Sequence, residues 1–598
     1  MSTVPAPKSS KRFQLVLIKP SHYDDDGYLI QWLRSAIPSN TLAVMNGLAV
    51  DCQQRRVLGE DVDIEITAYD ETNTRVRVAK IAQQLRGGQG LVVLVGVQSN
   101  QYPRAIDIAR PLRAAGVQVC LGGFHVSGCL SMLPEVPPEL KEAMDMGISL
   151  FAGEAEGRFE EVLRHAGQGA LRPLYNYMDD LPGLEGATLP MLPASRIKRT
   201  GGHLTSFDAG RGCPFQCSFC TIINVQGRKS RRRSADDVEQ IIRGNLAQGI
   251  NRFFITDDNF ARNSDWESIF DRLIAMRQQE KINIKFIIQV DTMCHRIPRF
   301  IEKAGLAGVA RVFIGLESIN PDSLLGAKKK QNKITEYRAM LLAWKNAGAT
   351  VFAGYILGFP GDTPESIIRD IGIIKRELPI DLLEFHCLTP LPGSEDHLRL
   401  FNAGTYLDPD LNKYDLEHVT TTHSKMSQAE WEQVYQDAWA TFYTREHMQT
   451  VMRRAVATNS NPGNMLFLLT WYYGCIAIEN VHPLQGGYLR RKYRTERRPS
   501  MPLESPLVFY PRYVFDTVYK HLRIAKQVIH FARFRYKLKA DPTARQYTDL
   551  ALTPVAPDEF DAFEMFSSSA SAKSAVSKAR GQAESRGPRQ STLVKIDQ

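Results

Sequence analysis

Three cysteines lie within a run of eight residues and follow the spacing C-x3-C-x2-C at Cys213, Cys217 and Cys220. Three thiolates this close along the chain can bind a single metal centre. A structural zinc ion takes four protein ligands, whereas a four-iron cluster held by three cysteines leaves one iron open to a small molecule. The spacing therefore favours an iron–sulfur cluster over a zinc knuckle that borrows a distant histidine. The other six cysteines are too scattered to offer an obvious fourth ligand: Cys52, Cys120, Cys129, Cys294, Cys387 and Cys475.

Length and composition are those of a globular protein with several domains. The 598 residues exceed the about 250–300 residues that a single core usually reaches. Nine cysteines without a disulfide-like spacing suit a reducing cytoplasm, and the opening residues contain no apolar run that would predict a secretory signal. The longest apolar stretch, residues 465–478, is shorter than the about 20 residues that span a bilayer. We therefore predict a cytoplasmic protein.

Residues 13–160 alternate between apolar strands and helices, with strands at 13–18, 63–68, 91–97 and 117–121. This pattern predicts a Rossmann-like parallel sheet covered on both faces. Ligands bind such sheets beyond the carboxyl ends of the strands. We therefore expect the loops that follow the strands to bind a ligand, through Gln98, Ser99, Asn100, Gly122, Gly123, His125, Gly153 and Glu154.

A second strand–helix series runs from His203 to Pro392, with long helices such as 235–248 and 363–377 between its strands. Six such units predict a partial (β/α)6 barrel, whose active site lies at the carboxyl-terminal rim of the strands. The three cysteines follow the first strand closely and so belong to this rim. The predicted strands are 204–207, 252–256, 285–290, 311–316, 351–357 and 382–388.

The rest of the chain is predicted to be mostly helical, with a basic amphipathic helix at about 513–539. From Ser567 onward large apolar residues are almost absent, which predicts disorder. The fold class is therefore α/β. We divide the chain into a Rossmann-like domain at 1–195, a barrel at 196–395, a mostly helical domain at 396–565 and a disordered tail at 566–598.

The cysteine motif, with Phe219 just before the last cysteine, resembles that of the radical SAM superfamily, in which the open iron chelates S-adenosylmethionine (SAM). Residues 1 to about 440 resemble the cobalamin-binding branch of these enzymes, because short motifs follow the barrel strands in the expected order: 257–260, 315–318, 358–361 and 388–393. The resemblance implies a 4Fe-4S cluster on the three cysteines and SAM contacts from Phe219, Asp257, Asp258, Asn259, Gln289, Glu317, Ser318, Gly358 and Pro360.

The chemistry of these residues suits SAM. Its ammonium group requires fixed carboxylates such as Asp257 or Asp258, its ribose requires a polar partner such as Glu317, and its adenine requires apolar and backbone contacts. The alternative interpretation is that Asp257 and Glu317 merely cap helices, because capping carboxylates occupy the same positions.

The resemblance also implies that the N-terminal loops named above bind cobalamin. The motif Asp-x-His-x-x-Gly, which supplies a cobalt-ligating histidine in many cobalamin domains, does not occur in the chain. Residues 122–128 instead resemble the Gly-Gly-x-His loop of this branch. We therefore expect cobalamin without a histidine on cobalt. His125 is then either a cofactor contact or an ordinary hydrogen-bonded loop residue.

The family implies a methyltransferase that acts on an unactivated carbon of a small molecule through a 5′-deoxyadenosyl radical and methylcobalamin. The resemblance does not decide between a lipid and a tetrapyrrole-like substrate. It also implies an electron donor such as flavodoxin or ferredoxin. A second hypothesis keeps both cofactors but ends in cyclisation, ring rearrangement or oxidation without methyl transfer. A third is a corrinoid-binding protein without catalysis. No nucleic-acid partner is expected.

The net charge of +9 is concentrated in two segments, residues 488–498 and 523–539. Basic residues beside apolar ones can hold a protein on an anionic membrane. We therefore hypothesise peripheral contact with the inner membrane by an otherwise cytoplasmic protein. The alternatives are that these residues pair with acidic residues of the barrel or only solvate their helix.

Overall fold

The computed structural model describes residues 11–87 and 90–586. The N-terminal part contains a six-stranded sheet in the order β3-β1-β4-β5-β6-β7, and every neighbouring pair is parallel. The strands of this part are β1 Lys11–Lys19, β2 Gln31–Ser35, β3 Val62–Asp70, β4 Gly90–Leu94, β5 Gln118–Gly122, β6 Ser149–Ala152 and β7 Leu174–Asn176.

Helices cover both faces of this sheet, because its central strands bury apolar side chains on each side. The strand order reverses at β1, so the loops after β1 and β4 diverge and leave a crevice at the carboxyl edge. The helices are α1 Asn40–Gln54, α2 Val78–Leu85, α3 Tyr102–Ala114, α4 Phe124–Met132, α5 Pro138–Asp145, α6 Phe159–Gly167 and α7 Ala194–Ile197.

The central part is a partial barrel of six parallel strands in the order β15-β14-β13-β12-β11-β8. A short antiparallel pair, β9 with β10, follows the first strand. The strands are β8 Leu204–Phe207, β9 Gly210–Arg211, β10 Arg231–Arg232, β11 Arg252–Ile255, β12 Lys285–Val290, β13 Val309–Glu317, β14 Thr350–Leu357 and β15 Leu382–Cys387.

The helices of this part are α8 Ile222–Val225, α9 Ala235–Leu246, α10 Trp266–Gln278, α11 Phe300–Ala307, α12 Pro321–Gly326, α13 Tyr337–Asn346, α14 Pro364–Glu377 and α15 Glu395–Asn402. Those from α9 to α14 share one large apolar core with the strands, whereas α8 packs against α4. The predicted α/β fold with a Rossmann-like sheet, a partial barrel and a helical C-terminal part is confirmed. The boundaries drawn between these parts stay a prediction.

The C-terminal part is helical except for β16 Gly487–Arg491, which pairs with β2 and so joins the two ends of the chain. Within the described ranges, none of the helices is both long and apolar enough to cross a bilayer. Its helices are α16 Gln428–Phe442, α17 Arg445–Ala457, α18 Pro462–Gly474, α19 Pro506–Ala540, α20 Glu564–Ser567 and α21 Ala570–Arg586.

The predicted disorder from residue 566 is wrong for the residues that form α20 and α21. Ala572 and Val576 of α21 are buried in the main core. The segment is poor in large apolar residues, but alanine, lysine and arginine favour a helix, and two small side chains suffice to dock it. Residues 587–598 lie outside the described residues.

Candidate functional site

The cysteine loop leaves the barrel directly after β8 and β9. Gly212 has φ +92°, and a Cβ there would lie 2.5 Å from the carbonyl oxygen of Lys229, so this turn requires glycine. Cys217 is buried, and its sulfur accepts a hydrogen bond from Gln331 at 3.5 Å. Burial raises the pKa of Cys213, and it raises the pKa of Cys220 to about 12. The neighbouring Cys217 contributes to both upward shifts. The three thiols share one short loop, in which the N–H of Cys220 donates to the carbonyl of Cys217 at 3.2 Å, and a metal centre must displace their protons.

Asp257 holds the start of this loop in place. Its Oδ1 accepts hydrogen bonds from the N–H groups of Ala209 at 2.7 Å and Gly210 at 2.8 Å, and its Oδ2 accepts one from Asn263 at 3.0 Å. Asp257 therefore connects the end of β11 to the backbone between β8 and β9, whereas the side chain of Asp258 beside it is partly exposed. Burial raises the pKa of both carboxyls to about 7.

Asn259 and Gln289 also use their side chains within the protein. The Asn259 amide donates to Asp291 at 2.9 Å, and Gln289 donates to the carbonyl of Asp257 at 3.4 Å. These contacts place both residues at the rim beside Asp257 and fix the ends of β11 and β12 relative to each other.

The end of β13 carries a buried ion pair that the sequence did not predict. Glu317, at φ +65°, pairs with Lys329, and both side chains are about one-tenth exposed or less. The Lys329 ammonium lies 5.6 Å from the ring centroid of Phe219. Burial lowers the pKa of Lys329, but Glu317 and the nearby cysteines outweigh it, so the net shift is upward. Ser318 is buried beside Glu317, and its carbonyl accepts from Tyr337 at 3.2 Å.

The loop after β14 closes the same side of the rim. The N–H groups of Gly358 and Phe359 both donate to Asp362, at 3.0 and 2.9 Å. The carbonyl of Pro360 accepts from Ser424 at 3.4 Å. Phe359 packs with Ile356 against Phe219 of the cysteine loop. Of the predicted SAM residues, Glu317 is linked to Phe219 through Lys329, and the loop of Gly358 and Pro360 is linked to Phe219 through Phe359. Asp257, Asn259 and Gln289 lie at the ends of β11 and β12.

A cleft lies between the carboxyl edge of the N-terminal sheet and the cysteine loop. It encloses about 910 Å³ including its open mouth, and mostly apolar residues line it. Of the predicted cobalamin residues, four line this cleft: Gly122, Gly123, Gly153 and Glu154.

The other four do not line it: Gln98, Ser99, Asn100 and His125. Gln98 is exposed and caps the turn 99–101. His125 is 1% exposed, and its Nδ1 lies 3.1 Å from the Ser99 hydroxyl, because α4 directs it to the far side of the helix. The cleft wall includes residues that the sequence did not single out, among them Asn40, Thr41, Phe124 and Arg211.

Arg211 connects the cleft to the cysteine loop. Its guanidinium donates to Glu154 at 2.8 Å and to Glu156 at 2.6 Å, and lies 3.1 Å from Asp208. Arg231 donates to Glu154 as well, at 2.9 Å. The sequence gives only a weak signal for this network. It contains two glutamates in the loop after β6 and several arginines after the cysteines, but it does not show which of them form ion pairs.

Several side chains on one face of β11 to β15 are only partly buried: Phe254, Ile287, Gln289, Arg311, Phe313, Phe352 and His386. Two of them contact α18, because Arg311 donates to Asn464 at 3.3 Å and the ring centroids of Phe352 and Tyr472 lie 6.0 Å apart. The opposite face, for example Phe385 against Trp439 and Phe442, packs on the helices.

A polar group on the same face of β15 was also missed. Glu384 and His386 of β15 lie beside His482, and Tyr472 of α18 donates a hydrogen bond to Glu384. Burial raises the pKa of Glu384 to about 7 and lowers that of His386 to about 4. The sequence predicts a buried helix around Tyr472 but not its contact with the barrel, which depends on the fold.

Comparison with known proteins identifies the class. A model of the Radical SAM superfamily matches residues 209–372, so this part of the chain is a radical SAM domain, as the cysteine motif predicts. The chain is 26% identical over 344 residues to the bacteriochlorophyllide d C-12(1)-methyltransferase of Chlorobaculum tepidum, covering 56% of this chain and 71% of that protein. It is 23% identical over 330 residues to the hopanoid C-2 methylase of Rhodopseudomonas palustris, covering 55% and 60%.

Two solved structures share the fold. The radical SAM methyltransferase TsrM of Kitasatospora setae, with cobalamin and a 4Fe-4S cluster bound, matches with a TM-score of 0.50 at 14% identity, over 73% of this chain and 90% of that one. The cobalamin-dependent radical SAM enzyme OxsB, with aqua-cobalamin bound, matches with a TM-score of 0.50 at 12% identity, over 95% and 84%. The predicted resemblance to the cobalamin-binding branch is confirmed.

Proposed function

We propose that this protein is a cobalamin-dependent radical SAM enzyme that methylates an unactivated carbon of a small molecule. One observation carries the proposal: Arg211, two residues before Cys213, lines the N-terminal cleft and pairs with Glu154 on its far wall. A ligand in the cleft therefore lies directly beside the cysteine loop. The named relatives, which are methyltransferases, support the same reaction.

The residues present fit the three cofactors. Cys213, Cys217 and Cys220 lie on one short loop and would hold a 4Fe-4S cluster through three thiolates. The rim residues around Glu317, Phe219 and Gly358 would hold SAM. The cleft is mostly apolar, and among the described residues that line it there is no histidine. Cobalamin would therefore bind without a protein histidine on cobalt.

When bound, these cofactors supply reductive cleavage of SAM, hydrogen abstraction and methyl transfer. The protein positions them and excludes water. Asp257 fixes the backbone that precedes the cysteines, and Arg211 fixes that backbone to the cleft. The buried Glu317–Lys329 pair keeps a fixed carboxylate next to the cysteines in a site of low dielectric. An electron donor such as a reduced flavodoxin or ferredoxin would supply the electron.

One face of the barrel strands carries Phe254, Phe313 and Phe352 beside the polar Glu384 and His386, a mixture that would suit a mostly apolar substrate with a polar group. The relatives named above act on a bacteriochlorophyllide and on hopanoids, which are large ring compounds. We infer a substrate of this lipid or tetrapyrrole-like class.

We also propose peripheral contact with an anionic membrane, made by α19 rather than by residues 488–498. Arg490 and Lys492 each lie 2.9 Å from Asp24, and Arg498 pairs with Asp410 at 2.7 Å, so the predicted basic segment is engaged within the protein. α19 instead exposes an apolar stripe beside lysines and arginines, as interfacial helices do. Its exposed apolar side chains include Leu507, Val514, Phe515, Val518, Leu522 and Tyr536.

Anaerobic reconstitution tests the cofactor set. With iron, sulfide, cobalamin, SAM and a strong reductant, we expect iron, bound corrinoid and formation of 5′-deoxyadenosine. The electron paramagnetic resonance spectrum of the Co(II) form should lack nitrogen hyperfine splitting from an axial ligand. Failure to bind corrinoid would remove the support for methyl transfer, and failure to form 5′-deoxyadenosine would refute radical chemistry altogether.

A further inference from the structure

We propose a zinc site, separate from the cysteine loop and the cleft, formed by His125 and Cys129 of α4 and Glu139 of α5. The three side chains offer one nitrogen, one sulfur and one oxygen, and these atoms all lie within 4.8 Å of one another. The site lies behind the cleft, because Phe124 and Ser127 of α4 line the cleft while His125 does not.

The helix itself brings two of the ligands together. His125 and Cys129 are four residues apart and therefore share one face of α4. Both are 1% exposed, and Glu139 adds a carboxylate from the next helix, with its Oε1 3.7 Å from Nε2 of His125. Ligand atoms around a tetrahedral zinc ion are about 3.3–3.8 Å apart, given bonds of about 2.0–2.3 Å. Closing the site therefore requires side-chain adjustments of about an ångström or less.

The hydrogen bonds of His125 leave the correct nitrogen free. Its Nδ1 lies 3.1 Å from the Ser99 hydroxyl, whereas its buried Nε2 has no hydrogen-bond partner among the described residues. When Nδ1–H donates to Ser99, the lone pair of Nε2 points at Cys129 and Glu139. A second hydrogen bond that fixes the tautomer and the ring in this way is typical of metal-bound histidines. Tyr102 further restrains the ring, with centroids 4.5 Å apart.

The ligand set identifies the class of ion. One thiolate, one imidazole and one carboxylate suit zinc better than the hard, oxygen-preferring cations. Thiolate and carboxylate charges balance a divalent ion, so a neutral centre results in this buried position. The side chain of Glu139 is 34% exposed, and Glu139 also lines a surface cleft with Tyr102 and Asp107, so water can reach the fourth coordination position.

The other buried histidine–carboxylate cluster does not meet the same condition. His482, beside Glu384 and His386, accepts the N–H of Leu484 on its Nδ1 at 3.2 Å. The proton of a neutral His482 is therefore on Nε2, which leaves that nitrogen no lone pair for a metal. This contrast supplies a matched control, because both clusters contain buried histidine and glutamate.

The test is metal analysis of the full-length protein, purified anaerobically, incubated with zinc chloride and desalted in the presence of a weak chelator. We expect about one zinc per chain in addition to cluster iron, and a loss of about tenfold or more in His125→Gln and Cys129→Ser. His482→Gln and Cys294→Ser, which alter a buried histidine and a buried cysteine elsewhere, should keep the zinc. Iron and corrinoid measured in the same samples report separately on the proposed function.

X-ray absorption at the zinc edge of the unaltered protein decides the proposal even if the variants fold poorly. We expect one sulfur neighbour at about 2.3 Å and nitrogen or oxygen neighbours at about 2.0–2.1 Å. Wild-type protein that retains no zinc would overturn the proposal. So would zinc with three sulfur neighbours, which would place it on Cys213, Cys217 and Cys220, and so would undiminished zinc in Cys129→Ser.

Discussion

At the scale of single residues, buried charges hold the cysteine loop against the N-terminal sheet. Arg211 is 8% exposed and is surrounded by Glu154, Glu156 and Asp208, which are buried as well. A single guanidinium thus joins the loop after β6, the end of β8 and the cysteines that follow it. The relative position of cleft and cysteine loop depends on this residue.

Replacing Arg211 should therefore be costly. Arg211→Gln leaves three buried carboxylates short of a partner, and removal of one member of a buried ion pair typically costs about 3–5 kcal/mol. Arg232→Gln is the matched control, because Arg232 pairs with Asp265 at the surface, where such a pair contributes about 0–1 kcal/mol. Urea denaturation of the two variants measures the difference. Equal loss of stability in both would contradict the role assigned to Arg211.

The three cysteines should be individually required for the cluster. Cys213→Ala, Cys217→Ala and Cys220→Ala should each lose most of the iron and acid-labile sulfide after anaerobic reconstitution, because two thiolates cannot hold a four-iron cluster stably. Cys294→Ala, which removes a fully buried cysteine of the barrel core, should retain it. A variant of the first three with wild-type iron and sulfide would show that the ligands are assigned wrongly.

Residue-level prediction from sequence succeeded where the signal is local. The cysteine spacing and the motifs after the barrel strands can be read because their residues are adjacent in the chain. The partners of those residues cannot be read from the sequence in this way, because they lie further along the chain. Lys329 is 12 positions from Glu317, and Arg211 is 57 positions from Glu154. His125 was placed at the cleft by resemblance, but a loop pattern does not reveal which side of α4 a residue occupies.

At the scale of elements, the loop after β14 depends on a glycine. Gly358 has φ +102°, and a Cβ there would lie 1.9 Å from the ring of Trp431 in α16. Trp431 in turn donates to the carbonyl of Leu357 at 3.2 Å. The strand end, the loop and the helix are thus packed as one unit around this position.

Gly358→Ala should shift this loop and lower stability by about 1–3 kcal/mol, because it combines backbone strain with overpacking. Affinity for SAM should fall with it, since Phe359 of the same loop packs near Phe219. Gly361→Ala, three residues further on, is the control, because nothing lies within 4 Å of a Cβ there. Denaturation and SAM binding by calorimetry would measure both effects. Equal behaviour of the two variants would show that the loop tolerates a side chain at Gly358.

Most elements could be predicted because apolar runs bounded by polar or glycine-containing turns define buried parallel strands. The predicted strands 204–207 and 285–290 coincide with β8 and β12. Pairing of β2 with β16 could not be predicted, since it joins Trp32 to Arg490 across most of the chain. The helix α21 was missed because composition alone does not show that a segment has a surface on which to dock.

At the scale of the whole molecule, α19 is the feature least explained by packing. It runs for 35 residues and buries only Phe509, Gln527, Phe531 and Leu538. An exposed apolar stripe of this length marks an interaction surface, and the lysines and arginines beside it favour an anionic lipid surface.

Flotation with liposomes tests this assignment. Wild-type protein should float with anionic vesicles at low salt and be released as ionic strength rises, because exposed charges are screened beyond about 8–10 Å at physiological salt. The triple variant Val514→Glu, Val518→Glu, Leu522→Glu should stay at the bottom of the gradient. Leu325→Glu, which alters a side chain of the barrel that is 65% exposed, should still float. If the wild-type protein does not float with the vesicles at any salt concentration, the apolar stripe binds a partner other than an anionic membrane.

The most direct test of the central claim, radical methylation of carbon, follows the methyl group itself. Reconstituted protein would be incubated with trideuteromethyl-labelled SAM, cobalamin, a reductant and a lipid and pigment extract from the source cells. We predict a product that has gained one trideuterated methyl group, formed together with 5′-deoxyadenosine and S-adenosylhomocysteine and absent with Cys217→Ala. A product formed with 5′-deoxyadenosine but without the labelled methyl would contradict methyl transfer and favour cyclisation, rearrangement or oxidation instead.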